Sequence, residues 1–197
     1  MEITAQMVKE LREKTGVGMM DCKKALQATN GNMEEAVKYL REKGISKAAT
    51  KSDREAKEGR VYAYVHFNNK IGVLVEVNCE TDFVARTQDF EDLCKHLAMH
   101  IAASSPIAVS EADIDPQIIS QEKEIYYNKA INDGKPENIA TKIADGQVQK
   151  YFKQNCLLFQ EDYREADRTI QDVIHETVAK MGENIQVSRF ARFSLGE

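Results

Sequence analysis

His96 and His100 stand four residues apart, the spacing that sets two imidazoles on one face of a helix and makes a two-histidine metal arm. Leu97-Ala98-Met99 between them offers no glutamate to act as a base, and no third ligand follows at a matching spacing. The pair is therefore read as flanking an apolar helix stripe, and no metal is expected. Cys79 or Cys94 beside a histidine could supply a thiolate nucleophile. Neither lies in a protease-like context, and there is no glycine-rich nucleophile elbow. Thr15-Gly16-Val17-Gly18 carries glycines but follows a helical pattern rather than a strand, so it is a helix–helix turn and not a phosphate cradle. With no Walker-type loop and no G-x-G-x-x-G, no bound nucleotide or other cofactor is expected.

What remains is chemistry of contact. Thr81, Asp82 and Thr87 are residue types that cap helix starts, because a side-chain oxygen accepts a free backbone N–H. They follow an apolar run, residues 71–77, that reads as a buried strand, and they precede an amphipathic helical pattern. Phe83 thus falls where strand becomes helix, with Val84 next to it. An aromatic there either fills a core gap or is presented to a partner. Met19 and Met20, just after the glycines, pose the same choice between core filling and an adaptable apolar patch. Adjacent helical residues rarely share a face, so one of the two is expected to be buried and the other exposed.

The elements that would position these residues begin with three short helices. Thr4 caps the first, with Met7, Val8 and Leu11 on one face and Gly16 as its stop. Asp21 caps the second, over residues 22–29. Asn32 with Glu35 opens the third, which carries Ala36, Val37 and Leu40 and closes at Gly44. Helices this short must bury their stripes against one another. Residues 1–44 are therefore expected to form a bundle. Residues 45–59, rich in Lys, Ala, Glu and Arg, read as a partly helical linker, and residues 60–197 as the core domain. In that core, residues 60–67 and 71–79 read as strands joined by Asn68-Asn69-Lys70, since Asn tolerates positive φ. Phe90, Leu93, Cys94, Leu97, Ile101 and Ala102 recur at helical spacing. A helical hairpin is expected at about residues 111–155, turning at Asp133-Gly134, with Pro136 in a first turn and Ile118, Ile125, Ile139 and Ile143 along its seam. A helix over residues 167–181 stopped by Gly182 and a strand over 184–195 complete an α+β fold with a three-stranded antiparallel sheet.

The chain has 197 residues, a net charge of −5 and 30% charged residues. That acidic balance speaks against phosphate-driven nucleic-acid binding. No apolar run reaches the roughly 20 residues of a membrane helix. Met1-Glu2-Ile3 leads directly into a polar helix, so a cytoplasmic location without a membrane partner is expected. Cys22, Cys79, Cys94 and Cys156 are widely spaced, with no C-x-x-C, and read as reduced, mostly buried thiols.

Asn78-Cys79-Glu80-Thr81-Asp82-Phe83-Val84-Ala85 resembles the central signature of the elongation factor Ts family. The run from Leu11 to Leu26, which includes Thr15-Gly16-Val17-Gly18-Met19-Met20-Asp21-Cys22, is similar to the same family's N-terminal signature. Gly72-Val73-Leu74-Val75-Glu76-Val77, Ala98-Met99-His100-Ile101-Ala102, Gly134-Lys135-Pro136 and Gly182-Glu183-Asn184-Ile185 match as well. The resemblance implies a translation elongation factor that is not an enzyme but exchanges guanine nucleotide on elongation factor Tu. It implies a bundle like the ubiquitin-associated (UBA) fold and a protruding hairpin. By the family pattern, Arg12, Gly16, Val17, Gly18, Met19 and Met20 meet the partner's nucleotide-binding domain. Thr81, Asp82, Phe83 and Val84 dock there too, with Phe83 wedged between two helices so that the Mg²⁺ and phosphate site is disturbed. One departure stands out. Family members usually show a Gln-Pro-Phe run after the equivalent of Leu157-Leu158, and here Phe159-Gln160-Glu161-Asp162-Tyr163 stands instead.

The rival reading is a UBA-like peptide-binding adaptor, which would have no need of the Thr81-Asp82-Phe83 turn. The strands also carry apolar residues on both faces: Val61, Ala63, Val65 and Phe67 on one, and Tyr62, Tyr64 and His66, joined by Leu74 and Phe190, on the other. Helices within the chain suffice for one face only, so a noncovalent homodimer is expected to cover the second.

Overall fold

The computed structural model describes residues 3–196, the side chain of Lys47 excepted; Met1 and Glu2, from which the location was read, lie outside the described residues. The chain divides into two compact units. One holds the residues up to Val61 with Glu76–Lys95 and Asp172–Gln186; the other holds Tyr62–Val75, His96–Gln171 and the residues from Val187 onward.

In the first unit, α1 (Ala5–Thr15) starts where the Thr4 hydroxyl accepts the Met7 N–H and stops at Gly16, whose φ of 67° is left-handed. There the Gly16 N–H closes on the Arg12 carbonyl at 2.7 Å. α2 (Met19–Ala28) begins three residues earlier than expected, with Gly18 as its cap. The Gly18 carbonyl accepts both the Asp21 and Cys22 N–H groups at 3.0 Å. Asp21 therefore lies inside the first turn, where its charge still faces the positive end of the helix. Asn32 caps α3 (Met33–Ala49) by accepting the Glu34 and Glu35 N–H groups. Val8, Leu11, Cys22, Ala25, Leu26, Ala36 and Leu40 bury together as the bundle's core. Val37, expected among them, is exposed.

Gly44 does not close α3, which runs on to Ala49. A Cβ at Gly44 would meet the Ala179 Cβ at 3.5 Å and the His175 carbonyl at 3.8 Å. The glycine thus serves close helix packing against α8 (Ile170–Met181) rather than a stop. Arg41 and Asp172 pair at 2.8 Å along the same contact. α8 begins three residues later than expected and stops at Gly182, φ 81°.

The sheet has the order β1–β2–β5, from β1 (Glu58–Val65), β2 (Ile71–Cys79) and β5 (Ile185–Ser194). Asn69, at φ 56°, turns β1 back into β2, and the His66 N–H donates to the Ile71 carbonyl at 2.9 Å. The Leu195 N–H reaches the Lys70 carbonyl at 2.8 Å, so β5 ends where β2 begins and both neighbours run antiparallel to β2. The central strand buries Val73, Val75, Val77 and Cys79. The His66–Ile71 bond sets Ala63 opposite Leu74. Leu74 therefore shares the exposed face with Val61, Ala63 and Val65, and not the face of Tyr62 and Tyr64 as expected.

In the second unit, α6 (Pro116–Asn132) and α7 (Glu137–Asn155) form the hairpin. Pro116 sits in the first turn of α6, while Pro136 is the cap of α7 rather than part of its first turn. The seam differs from expectation: Ile118, Ile125 and Ile139 are exposed and Ile143 is half-buried, whereas Ala130, Ala140, Ala144, Val148 and Phe152 are buried. Small alanines let two helices approach closely, and the isoleucines lie about 100° round the helix from the contact line. Beyond α7 a two-stranded ribbon, β3 (Glu161–Asp162) with β4 (Glu165–Thr169), occupies the segment that departs from the family pattern and takes in the first residues of the expected last helix. No helix among the described residues is long and apolar enough to cross a membrane.

Candidate functional site

β2 ends at Cys79 and the chain turns at once into a single helical turn, α4 (Asp82–Ala85). Thr81, extended at φ −130°, caps it by accepting the Val84 N–H. Val84 and Ala85 point inward and are buried. Phe83, a step of about 100° away on the same turn, is 77% exposed. Of the four residues expected at this surface, Thr81, Asp82 and Phe83 stand outward, and Val84 is the buried anchor that aims them. The Asp82 carboxylate pairs with Arg86 at 2.8 Å in full view of solvent, a contact worth little to stability and easily exchanged for a partner's donors.

The second surface is the turn from α1 to α2. Arg12, Gly16 and Gly18 are exposed and Val17 is half-buried against the bundle core. The turn is held from within: the Thr15 hydroxyl donates to the Leu11 carbonyl at 2.8 Å and the Cys22 thiol to the Val17 carbonyl at 3.4 Å. Met19 and Met20 are both exposed, at 45% and 66%, contrary to the expectation that one would be buried. They fill the first turn of α2, ahead of the point where Cys22, Ala25 and Leu26 begin its inward face.

Both surfaces belong to the first unit, and the end of α8 touches each. A Cβ at Gly16 would lie 3.0 Å from Cε of Lys180, whose Nζ pairs with Asp89 at 2.6 Å. Glu183 receives the Glu80 and Thr81 N–H groups and the Thr81 hydroxyl, at 3.1, 3.0 and 2.7 Å. Sequence reasoning gave Lys180, Glu183 and Asn184 no role. The Gly182-Glu183-Asn184-Ile185 match was the one signal available, and a contact across 102 positions has no local signature.

The histidines and thiols have other duties. His96 Nε2 lies 2.7 Å from the Asp162 carboxylate, which also holds Arg168. Burial alone would raise the Asp162 pKa; the Arg164 N–H, His96 and Arg168 hold it below the usual carboxylate range. His100 Nε2 lies 2.9 Å from Gln160 Oε1, and the Gln160 amide donates to the Gln154 carbonyl at 2.6 Å and the Ser104 carbonyl at 3.4 Å. That orientation makes His100 the donor at Nε2 and leaves its buried Nδ1 without a partner. Both imidazoles lie in the buried face itself rather than flanking it, so they anchor the β3–β4 segment to α5 (Gln88–Ser104). Among the described residues no group of His, Cys, Asp or Glu is placed to hold a metal ion. All four thiols are buried. Burial pushes Cys79 and Cys156 up to about 11 and Cys94 up to about 12, so they hold their protons at neutral pH and are poor nucleophiles.

Burial also lowers the pKa of His96 and His100 from the ordinary value of 6.5, against the pull of Asp162 and Gln160. The unfolded chain therefore binds protons that the folded chain resists. Their contribution to stability is complete above pH 6.5 and is lost as the pH falls below it. Thermal midpoints measured at steps from pH 7.5 to 5 are expected to fall, and His100→Gln is expected to flatten that fall. An unchanged slope in the variant would remove His100 as its source.

The whole chain has close counterparts among known proteins. A family model described as elongation factor TS matches residues 2–197. The elongation factor Ts of Heliobacterium modesticaldum is 57% identical over 195 residues, covering 99% of this chain and 91% of the relative. That of Oleidesulfovibrio alaskensis is 55% identical over 194 residues, covering 98% of each, and that of Fervidobacterium nodosum is 54% identical over 197 residues, covering both in full. More than half of the aligned positions are identical in each relative, over nearly the whole length of both chains: the chain belongs to the elongation factor Ts family.

Proposed function

We propose that the protein is a translation elongation factor that promotes GDP release from elongation factor Tu without any covalent step. The observation that carries this reading is Phe83, a large apolar side chain left in water on a capped, internally anchored turn. Family membership supplies the partner. In this reading Phe83 inserts between two helices of the partner's nucleotide-binding domain, and Asp82 exchanges its Arg86 contact for polar groups at the rim. Met19 and Met20, with Arg12 and the turn at Gly16, Val17 and Gly18, form a second, adaptable contact carried by the bundle of residues 1–44. Burial of a Phe side chain contributes about 1.5–3 kcal/mol, enough to offset part of the strain imposed around the partner's Mg²⁺ and phosphates. The protein itself holds no nucleotide in this scheme. It acts in the cytoplasm, as a homodimer, with no contact to nucleic acid or membrane.

The scheme is bound by linkage. Whatever factor the protein takes from GDP affinity, GDP takes from the protein's affinity for elongation factor Tu. Calorimetric titration of nucleotide-free and GDP-bound elongation factor Tu is expected to give dissociation constants in that same ratio. Equal affinity for the two forms would reject the exchange reading and leave only a binding module.

A further inference from the structure

We propose that Glu183 is a positioning residue for nucleotide exchange: its carboxylate, at the end of α8, fixes the turn that presents Phe83. The proposal rests on the exchange reading above and adds a residue to it. Glu183 Oε2 accepts two successive backbone N–H groups, Glu80 at 3.1 Å and Thr81 at 3.0 Å, while Oε1 accepts the Thr81 hydroxyl at 2.7 Å. Because that hydroxyl gives its proton to Glu183, its lone pair is left facing the Val84 N–H, which it accepts at 3.4 Å. A single carboxylate thus sets both the backbone entering α4 and the rotor of its capping side chain.

The brace is reciprocal. Glu80 Oε1 accepts the Asn184 N–H at 2.6 Å, and the Asn184 amide donates to the Arg54 carbonyl at 2.7 Å. Gly182, at φ 81°, ends α8 and turns the next two residues toward the Thr81 turn. The turn itself is one helical turn long and cannot hold its shape by its own hydrogen bonds. Without the carboxylate, Phe83 remains present but samples directions that do not lead into the partner, and a wedge loses effect with small misplacement.

The test measures exchange on elongation factor Tu as a function of factor concentration, for the full-length parent, Glu183→Ala, Glu183→Gln, Phe83→Ala and the double variant of Glu183→Ala with Phe83→Ala. Glu183→Ala is expected to lower the saturating exchange rate about tenfold with less than about threefold change in the half-saturating concentration. Glu183→Gln keeps a carbonyl oxygen for the two N–H groups and is expected to fall between Ala and the parent. In the Phe83→Ala background, Glu183→Ala is expected to have no further effect, because Glu183 acts through Phe83. A residue that merely holds the fold together would cost the same in both backgrounds, and that additivity would overturn the proposal. So would parent-like exchange by folded Glu183→Ala. If Glu183→Ala unfolds, Glu183→Gln takes its place in the same cycle: no further loss in the Phe83→Ala background supports the proposal, and an additive loss overturns it. If Phe83→Ala itself exchanges like the parent, the wedge reading fails and this proposal fails with it, a result distinct from Glu183 variants alone behaving as the parent.

Discussion

Phe83→Ala is expected to lower the saturating rate of GDP release by about ten- to a hundredfold, the loss of roughly 1.5–3 kcal/mol of partner burial. It is expected to leave the fold untouched. The distinction is quantitative. A Phe removed from a packed core costs about 3–5 kcal/mol, which in a chain of this size would lower the thermal midpoint by about 6–20 °C. Phe83 is 77% exposed, and the anchoring of its turn comes from Val84 and Ala85, which the substitution does not touch. A thermal scan beside the exchange assay separates the two cases. A midpoint within a few degrees and a slow exchange rate fit a presented wedge. A collapsed midpoint would mean that Phe83 stabilises the fold, and the wedge assignment would fall.

The second large effect concerns the uncovered face of the sheet. Antiparallel sheets tolerate water on one face when that face is polar. Here Ala63, Val65, Leu74, Ala191 and Phe193 stand outward on neighbouring strands, with Phe67 and Leu195 at the strand ends, and Phe193 is 69% exposed. Apolar patches of that kind mark interaction surfaces. A second copy placed about a two-fold axis presents the same surface in return. The four cysteines are buried, so a dimer formed through this face is expected to be noncovalent and indifferent to reductant. Light scattering after size exclusion, in reducing buffer at micromolar concentration, is expected to give twice the chain mass of 22.3 kDa. Val65→Asp with Phe193→Asp is expected to return it to one chain with an unchanged circular dichroism spectrum. A single-chain mass for the parent protein would refute the dimer.

Features set by local chemistry were legible in the sequence. Thr4, Asn32 and Thr81 cap helices through their side-chain oxygens, Gly16 and Gly182 end them in the left-handed backbone that a missing Cβ permits, and Asn69 turns the hairpin. The turn at Thr81 to Phe83 was legible from its three capping residues, which left open whether Phe83 faces the core or solvent; the outward reading came from the family resemblance. What failed was decided at a distance. Gly44 reads locally as a stop, yet it is a contact point for Ala179. Ile118 and Ile125 outrank alanine in hydropathy, yet helix spacing favours Ala130, Ala140 and Ala144 at the seam. The β3–β4 ribbon has no apolar alternation, and it is pinned by Asp162 to His96 and Arg168. Glu183 lies 102 positions from Thr81 in the chain, yet it accepts two hydrogen bonds from it directly.

Exchange itself is the central claim, and stopped-flow timing of fluorescent GDP leaving elongation factor Tu addresses it most directly. With excess unlabelled nucleotide present, the release rate is expected to climb with added protein to a plateau at least tenfold above the spontaneous rate. Substoichiometric amounts are expected to turn over many equivalents, with no GTP hydrolysed by the protein alone. A release rate unchanged at saturating protein would contradict the account.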